Sequence, residues 1–375
     1  TVYTLRSEFG VSSLNGEIPW AQYHHYRTNA AGEYTDTLGN VVARQFRVER
    51  PVNQRFQDVP YRDPIFDQVD RFFDPGEFMK NSFNIAQNTG KTNWYLSIND
   101  SREEGVVLNS GRFSQRDARL NIDHRPSERL SFSASGFHSA TDRYELYGDT
   151  FFDLINQAPD VDLRVPDADG TPFAFQGDPF GREENPLYVL ATEDFRRKRT
   201  RTQGSFEARF VPFSWLTLDG NVSYDRSDRR VNFFLDQGKK TEGFALGGIG
   251  EISQTTGTTT AINAAASANL LRQFGDVTLR STFRGILESE DNLVTTAEGT
   301  DLAVPGVKSL NNARNRFVES EFEQIRSSGY FISAGGDYKG KYIADALIRQ
   351  DGSSLFGPNE RWNTYYRVSG AYRLT

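Results

Sequence analysis

Cysteine is absent from this chain and methionine occurs once, at Met79. Without cysteine there is no disulfide scaffold, no cysteine metal site and no thiol nucleophile. Histidine is scarce: His24, His25, His124 and His138 are the full set, and none has the spacing of a Ser-His-Asp triad or a metal-ligand pair. No enzyme, metal or cofactor is therefore expected. Long apolar runs are missing as well. At a mean hydropathy of −0.61, no segment approaches the ~18 consecutive apolar residues that a membrane helix requires. Positive charge is in deficit, with 43 Lys plus Arg against 50 Asp plus Glu and a net charge of −7, which argues against a nucleic-acid partner. No basic, apolar leader follows Thr1, so a mature or truncated piece of a longer product is expected. A membrane β-barrel survives all these exclusions, because it exposes apolar residues only at alternate positions and is hydrophilic on average.

What is present is alternation. In Ala118 to Ser135 the residues Ala118, Leu120 and Ile122 alternate with Arg119, Asn121 and Asp123. After a short polar connection, Leu130, Phe132 and Ala134 alternate with Ser131, Ser133 and Ser135. Period two in both arms predicts an antiparallel hairpin with one apolar and one polar face. The same pattern recurs at Val2 to Val11, Phe78 to Ala86, Trp94 to Asn99, Ser205 to Phe210, Leu216 to Asp225, Ile262 to Leu270, Val277 to Leu287, Tyr330 to Tyr338, Tyr342 to Ile348 and Tyr366 to Leu374. About twelve strands result. Residues 63–72 carry the one helical hint in the first long connection.

The connections sort by length. Those near 87–92, 124–129, 211–215, 272–275 and 339–341 are short; those near 13–77, 100–112, 140–197, 226–260, 288–325 and 350–362 are longer. A soluble sandwich has no need of this segregation, whereas an outer-membrane barrel has short periplasmic turns and long extracellular loops. Charge agrees. Arg119, Asp123, Glu207, Arg209, Asp219, Asp225, Arg280, Arg284, Asp337, Asp345, Arg349, Arg367 and Arg373 all fall on the polar faces. On a lipid-facing side, Arg or Lys near mid-membrane would cost ~2–4 kcal/mol. Aromatics cluster near the short turns, at Trp94, Phe210, Phe213, Trp215, Phe274, Tyr338, Tyr342 and Tyr372, as an interfacial girdle requires. The expected fold is all-β, an antiparallel transmembrane β-barrel portion.

The run Tyr342-Ile-Ala-Asp-Ala-Leu-Ile-Arg-Gln-Asp-Gly-Ser-Ser-Leu-Phe-Gly-Pro-Asn-Glu-Arg-Trp362 resembles the signature stretch of SusC/RagA-type TonB-dependent outer-membrane transporters. Its marks are Arg349, Asp351, Gly352, Ser353, Ser354, Phe356, Gly357, Pro358 and Trp362. The elements of Asn93 to Leu130, Asn185-Pro186 and the Arg-rich segment 196–201 are similar to other parts of the same barrels. The resemblance implies a 22-stranded barrel in the outer membrane of a Gram-negative, Bacteroidota-like bacterium. It implies uptake of oligosaccharides or peptides, a SusD-like lid lipoprotein, and a TonB complex acting through a plug domain. No plug or TonB-interacting segment is legible, so residues 1–375 are expected to be the central part of such a barrel, set among outer-membrane lipids.

Other sites are weaker. The turn Asp167-Ala-Asp-Gly170 has the opening of a calcium loop without its later carboxylates, and is expected to be a solvated turn. The glycines Gly247, Gly248 and Gly250 lack the following helix of a phosphate site. The basic runs 196–201 and 226–230 are expected at a solvated rim, His124 in a turn, and His24-His25 on the surface. For ligand stacking the loops supply aromatics, of which Trp20, Tyr23, Tyr26, Tyr144, Tyr147 and Phe175 are the candidates. Against this stands the plainer expectation that most such rings pack the loops together. The competing function is a structural or adhesive barrel that holds a partner through its loops and transports nothing.

Overall fold

The computed structural model describes residues 1–16, 19–108, 110–145, 150–175, 184–240 and 248–374. In chain order the elements are β1 (Val2–Ser12), β2 (Tyr23–His24), β3 (Val59–Pro60), α1 (Gln68–Phe72), β4 (Gly76–Asn88), β5 (Thr92–Glu104), β6 (Arg112–Ser127) and β7 (Leu130–Tyr144). There follow α2 (Thr150–Ile155), α3 (Pro186–Thr192), β8 (Glu193–Phe213), β9 (Leu216–Leu235), β10 (Glu251–Phe274), β11 (Val277–Leu302), β12 (Ala313–Tyr338), β13 (Tyr342–Ser353) and β14 (Trp362–Tyr372). Apart from the small β2/β3 pair, the strands form one 12-stranded antiparallel meander in sequence order. Among the described residues β1 pairs with β4 alone and β14 with β13 alone, so both edges of the sheet are open.

Each of the twelve expected strands is present. Register carries one face across seven of the twelve strands: Trp94, Ile122, Ala134, Phe206, Val222, Ala264 and Leu287 stand side by side on β5 to β11. The opposite face carries the row Ser131, Arg209, Asp219, Ser267, Arg284, Phe331, Arg349 and Tyr365. The apolar face is uncovered, with Leu5 at 78%, Leu287 at 62% and Val368 at 80% exposure. An apolar surface of this extent in water would be an aggregation site. In lipid it is the expected exterior.

At the short-turn end the aromatics pair within single turns and across adjacent strands. Phe213 and Trp215 stack at 5.2 Å, Tyr342 lies 5.0 Å from Tyr372, and the Arg272 guanidinium sits 4.9 Å over Phe274. The turn after β12 uses Lys339 and Gly340, both with positive φ, which matches the twist of a tight hairpin.

At the other end the expected bounds are corrected. Residues 226–235, 251–260, 288–302 and 313–324 continue β9, β10, β11 and β12. Sequence alternation ends near Leu287 because ~9–11 tilted residues cross the bilayer, and above it neither face needs to be apolar. β11 runs for 26 residues, far past that span. The basic runs are likewise strand residues with partners: Arg196 with Asp142, Arg201 with Asp225 and Arg226 with Asp228. Residues 140–197 also hold α2 and α3, which are too short for a helical period to show.

Candidate functional site at the long-connection end

The buried core of this protein lies in its long connections, with the sheet faces left open. Phe72, Leu154, Val161, Leu163, Phe173, Phe175, Leu187 and Tyr188 form one cluster. Local signals place its helices. Asp67 caps α1 by accepting from the Val69 and Asp70 N–H groups, and Asn185 caps α3 with Pro186 following it. Asn185 is fully buried, and its amide also donates to the carbonyls of Leu163 and Ala174 at 2.8 and 2.9 Å. The Asn185-Pro186 element is thus a joint that ties one connection together.

Polar contacts stitch successive connections to one another. The Phe66 N–H donates to Pro159 O at 2.7 Å, and the Leu108 N–H to Phe72 O at 2.9 Å. Arg47 Nη1 lies 2.5 Å from Asp160 Oδ2. Lys240 Nζ reaches both oxygens of Asp167 at 2.7 Å, and the Gly306 N–H donates to Asp236 at 2.7 Å. The result is a continuous cap of interlocked loops over one end of the sheet.

Asp167 therefore has a lysine for its cation. Burial pushes its carboxyl upward, yet the hydrogen bonds from Lys240 and from the Phe175 N–H hold it below the usual range. The Asp169 carboxylate is turned back on Thr171, accepting from its N–H at 2.8 Å and from its hydroxyl.

His24 departs from its expected surface position: it is 2% exposed. Its ring lies 5.0 to 5.3 Å from those of Tyr26, Tyr34 and Tyr61, and its Nδ1 accepts from the Tyr26 N–H at 3.1 Å. Arg47 roofs the cage, 4.4 Å over the Tyr26 ring. Burial foremost, then the charges of Arg47 and Arg50, lowers the His24 pKa to about 4. Burial and the Asp160 charge push the Tyr34 phenol up to about 12. Nothing in the sequence signals this cage, because burial in an aperiodic segment leaves no pattern. His124, expected in a turn, lies within β6 instead, between Thr92 and Phe132 of the neighbouring strands, and bonds Thr92 at 2.7 Å.

The aromatic candidates separate. Phe175 is 4% exposed and packs edge-on to Tyr188. Trp20 packs against the same cluster, and Tyr26 belongs to the His24 cage. Tyr23 is half-exposed at 49%. Tyr144 stands beneath the Arg196 guanidinium at 5.1 Å and lines a cavity of about 610 Å³ with Asp74, Glu104, Arg112 and Asp142. Tyr147 lies outside the described residues, as does Gly247.

The signature residues form one local unit. Arg349 Nε donates to Asp351 at 2.7 and 2.9 Å, and both line a cavity of about 280 Å³ on the charged face with Phe356 and Tyr365. The Leu355 N–H donates to Ser353 Oγ at 3.3 Å, and Ser354 exchanges two hydrogen bonds with the Arg326 backbone. Gly357 O accepts from the Glu360 N–H, closing a turn through exposed Pro358. Trp362 lies across Gly352, where a Cβ would sit 2.8 Å from its ring.

No family model matches the chain. A TonB-dependent receptor P26 from Formosa agariphila is 22% identical over 337 residues, covering 85% of this chain and 32% of that protein. The solved structure of the RagAB peptide transporter superposes with a TM-score of 0.64 at 17% identity, over 82% of this chain and 35% of that one. The RagAB importer in its open-open state covers 98% of this chain and 43% of its own at a TM-score of 0.63. The fold is that of a SusC/RagA-type TonB-dependent transporter barrel. The chain spans about a third of the length of the curated relative. On that fold the uncovered face is the exterior of the barrel wall, and the row from Ser131 to Tyr365 is its interior.

Proposed function

We propose that this chain is part of the barrel of an outer-membrane TonB-dependent importer, taking up oligosaccharides or peptides across the envelope of a Gram-negative, Bacteroidota-like bacterium. The observation that carries the reading is the division of the sheet into an uncovered apolar face and a charged inner face, on a fold shared with a peptide transporter. Residues 1–375 would be a partial barrel domain, with plug and remaining strands supplied by the rest of the protein. A TonB complex would act through that plug. A SusD-like lipoprotein would close over the loop cap, which has the extent and internal packing to receive a lid. Of the ligand-binding candidates, Tyr23 and Tyr144 keep exposed rings and are the residues proposed to meet ligand or lid. Trp20, Tyr26 and Phe175 are assigned to packing. No catalytic role, metal or cofactor enters this reading.

The test is uptake. Cells lacking the complete gene should lose accumulation of one ligand class from mixtures of labelled maltooligosaccharides and peptides, and lose it equally when TonB is inactivated. Unchanged uptake with loss of attachment to a surface or partner would instead establish an adhesive barrel.

A further inference from the structure

Toward the long connections, the inner face of the sheet sorts its charges by strand. Register sets Arg199, Arg229, Gly257, Val294 and Glu321 side by side on β8 to β12. On the same face, the next row toward the loops runs Arg197, Val231, Thr255, Thr296 and Glu319. The next row toward the short turns runs Arg201, Ser227, Thr259, Asn292 and Glu323. Each row thus begins with arginine on β8 and ends with glutamate on β12. Between these walls Arg229 is the one charge, and the floor is glycine, valine, hydroxyl and amide.

Part of the basic wall is already neutralised. Arg197 lies 2.9 Å from Glu145, and Arg201 pairs with Asp225 at 2.5 Å. Arg199 and Arg229 stand directly opposite one another and have no ion-pair partner among the described residues; Arg199 Nε donates to Ser227 Oγ at 3.0 Å. Like charges facing each other across two strands destabilise the pair, so an anion held between the two guanidinium groups would be stabilising. The Arg229 guanidinium leans over Gly257, 3.8 Å from where a Cβ would sit. Glu319, Glu321 and Glu323 are exposed and have no ion-pair partner among the described residues either.

We infer that this tract is a subsite for a dipolar ligand, a short peptide with free ends, its carboxylate at Arg199 and Arg229 and its ammonium at Glu319 to Glu323. Strands lie about 4.8 Å apart, so β9 is about 14 Å from β12 and β10, under the Arg229 guanidinium, about 10 Å from it. An extended chain advances about 3.3 Å per residue, so about three or four residues span the gap. The hydroxyls of Thr255, Thr259 and Thr296 lie between the walls, where the amides of such a chain would run. A neutral oligosaccharide would leave both walls unused, and an anionic one would be repelled by the glutamates. The inference rests on the importer reading and narrows its ligand to peptides.

The complete protein in detergent would be titrated calorimetrically with tetraalanine, its N-acetylated form, its C-amidated form and maltotetraose. Removing either terminal charge should weaken binding about tenfold, and maltotetraose should not bind. Arg199→Gln with Arg229→Gln should erase the penalty of amidation and keep that of acetylation. Glu319→Gln, Glu321→Gln and Glu323→Gln together should do the reverse. That crossed pattern separates contact with the termini from a merely structural effect, which would weaken all forms alike. Blocked peptides bound as tightly as the free one, or penalties indifferent to the variants, would overturn the subsite. So would maltotetraose bound in place of peptide, or no binding of either. The importer reading is decided separately, by whether uptake depends on the gene and on TonB.

Discussion

Arg47 and Asp160 lie 113 residues apart and meet with Nη1 2.5 Å from Oδ2. The contact joins the β1–β4 connection to the β7–β8 connection, and both side chains are almost wholly buried. Arg44 adds a second cation 3.6 Å from the same oxygen. Stranding one charge of a buried pair costs about 3–5 kcal/mol; Arg44 stays beside Asp160, so losing Arg47 should cost less than that. Arg47→Met should therefore open the loop cap to protease well below the temperature at which the sheet unfolds. Arg47→Met combined with Asp160→Leu should recover much of that loss. Limited proteolysis against temperature reads both, and a double variant no better than the single one would show that the pair does not tie the loops.

Acidification should loosen the same region. His24 is neutral in the folded cage, with its pKa lowered to about 4 by burial and by Arg47, whereas an unfolded histidine titrates near 6.5. Between those values the unfolded segment binds a proton that the folded one refuses. Stability is thus full above pH 6.5 and falls as the pH drops toward 4, by at most about 3 kcal/mol. Hydrogen exchange of residues 20–60 at pH 7.5, 5.5 and 4.5 should show rising exchange. His24→Phe should flatten that dependence, and an unchanged slope in the variant would place the titration elsewhere.

Charge tolerance should differ between adjacent residues. Ala264 faces outward beside Val222 and Leu287, and Ala265 faces inward beside Asn221 and Ile286. Ala264→Arg should destabilise the barrel by ~2–4 kcal/mol, and Ala265→Arg by well under that. Reversible folding in lipid vesicles measures both. Equal losses would mean that the two faces do not meet different solvents.

The strands were legible because lipid demands strict alternation, as at Leu216, Leu218, Gly220 and Val222 of β9. Legibility stops where lipid stops. The residues from Arg226 to Leu235 continue the same strand with charges on both faces, and they read as a loop. The His24 cage and the Arg47–Asp160 pair were invisible for a related reason: they are contacts between aperiodic segments far apart in sequence, which composition cannot bring together. The signature loop was visible as a motif, but the seat of Trp362 on Gly352 needed the register of β13 and β14.

The most direct test of the account uses the absence of cysteine from this chain. Single cysteines introduced in turn at Ala264, Ala265, Ala266, Ser267 and Ala268 of the complete protein, with any cysteines elsewhere replaced, would be spin-labelled and reconstituted in lipid. Collision with oxygen, which concentrates in lipid, should be high at 264, 266 and 268, and collision with a water-soluble nickel complex should be high at 265 and 267. That period of two would establish a strand between lipid and a polar interior. Uniform access by the nickel complex at all five positions would contradict the account.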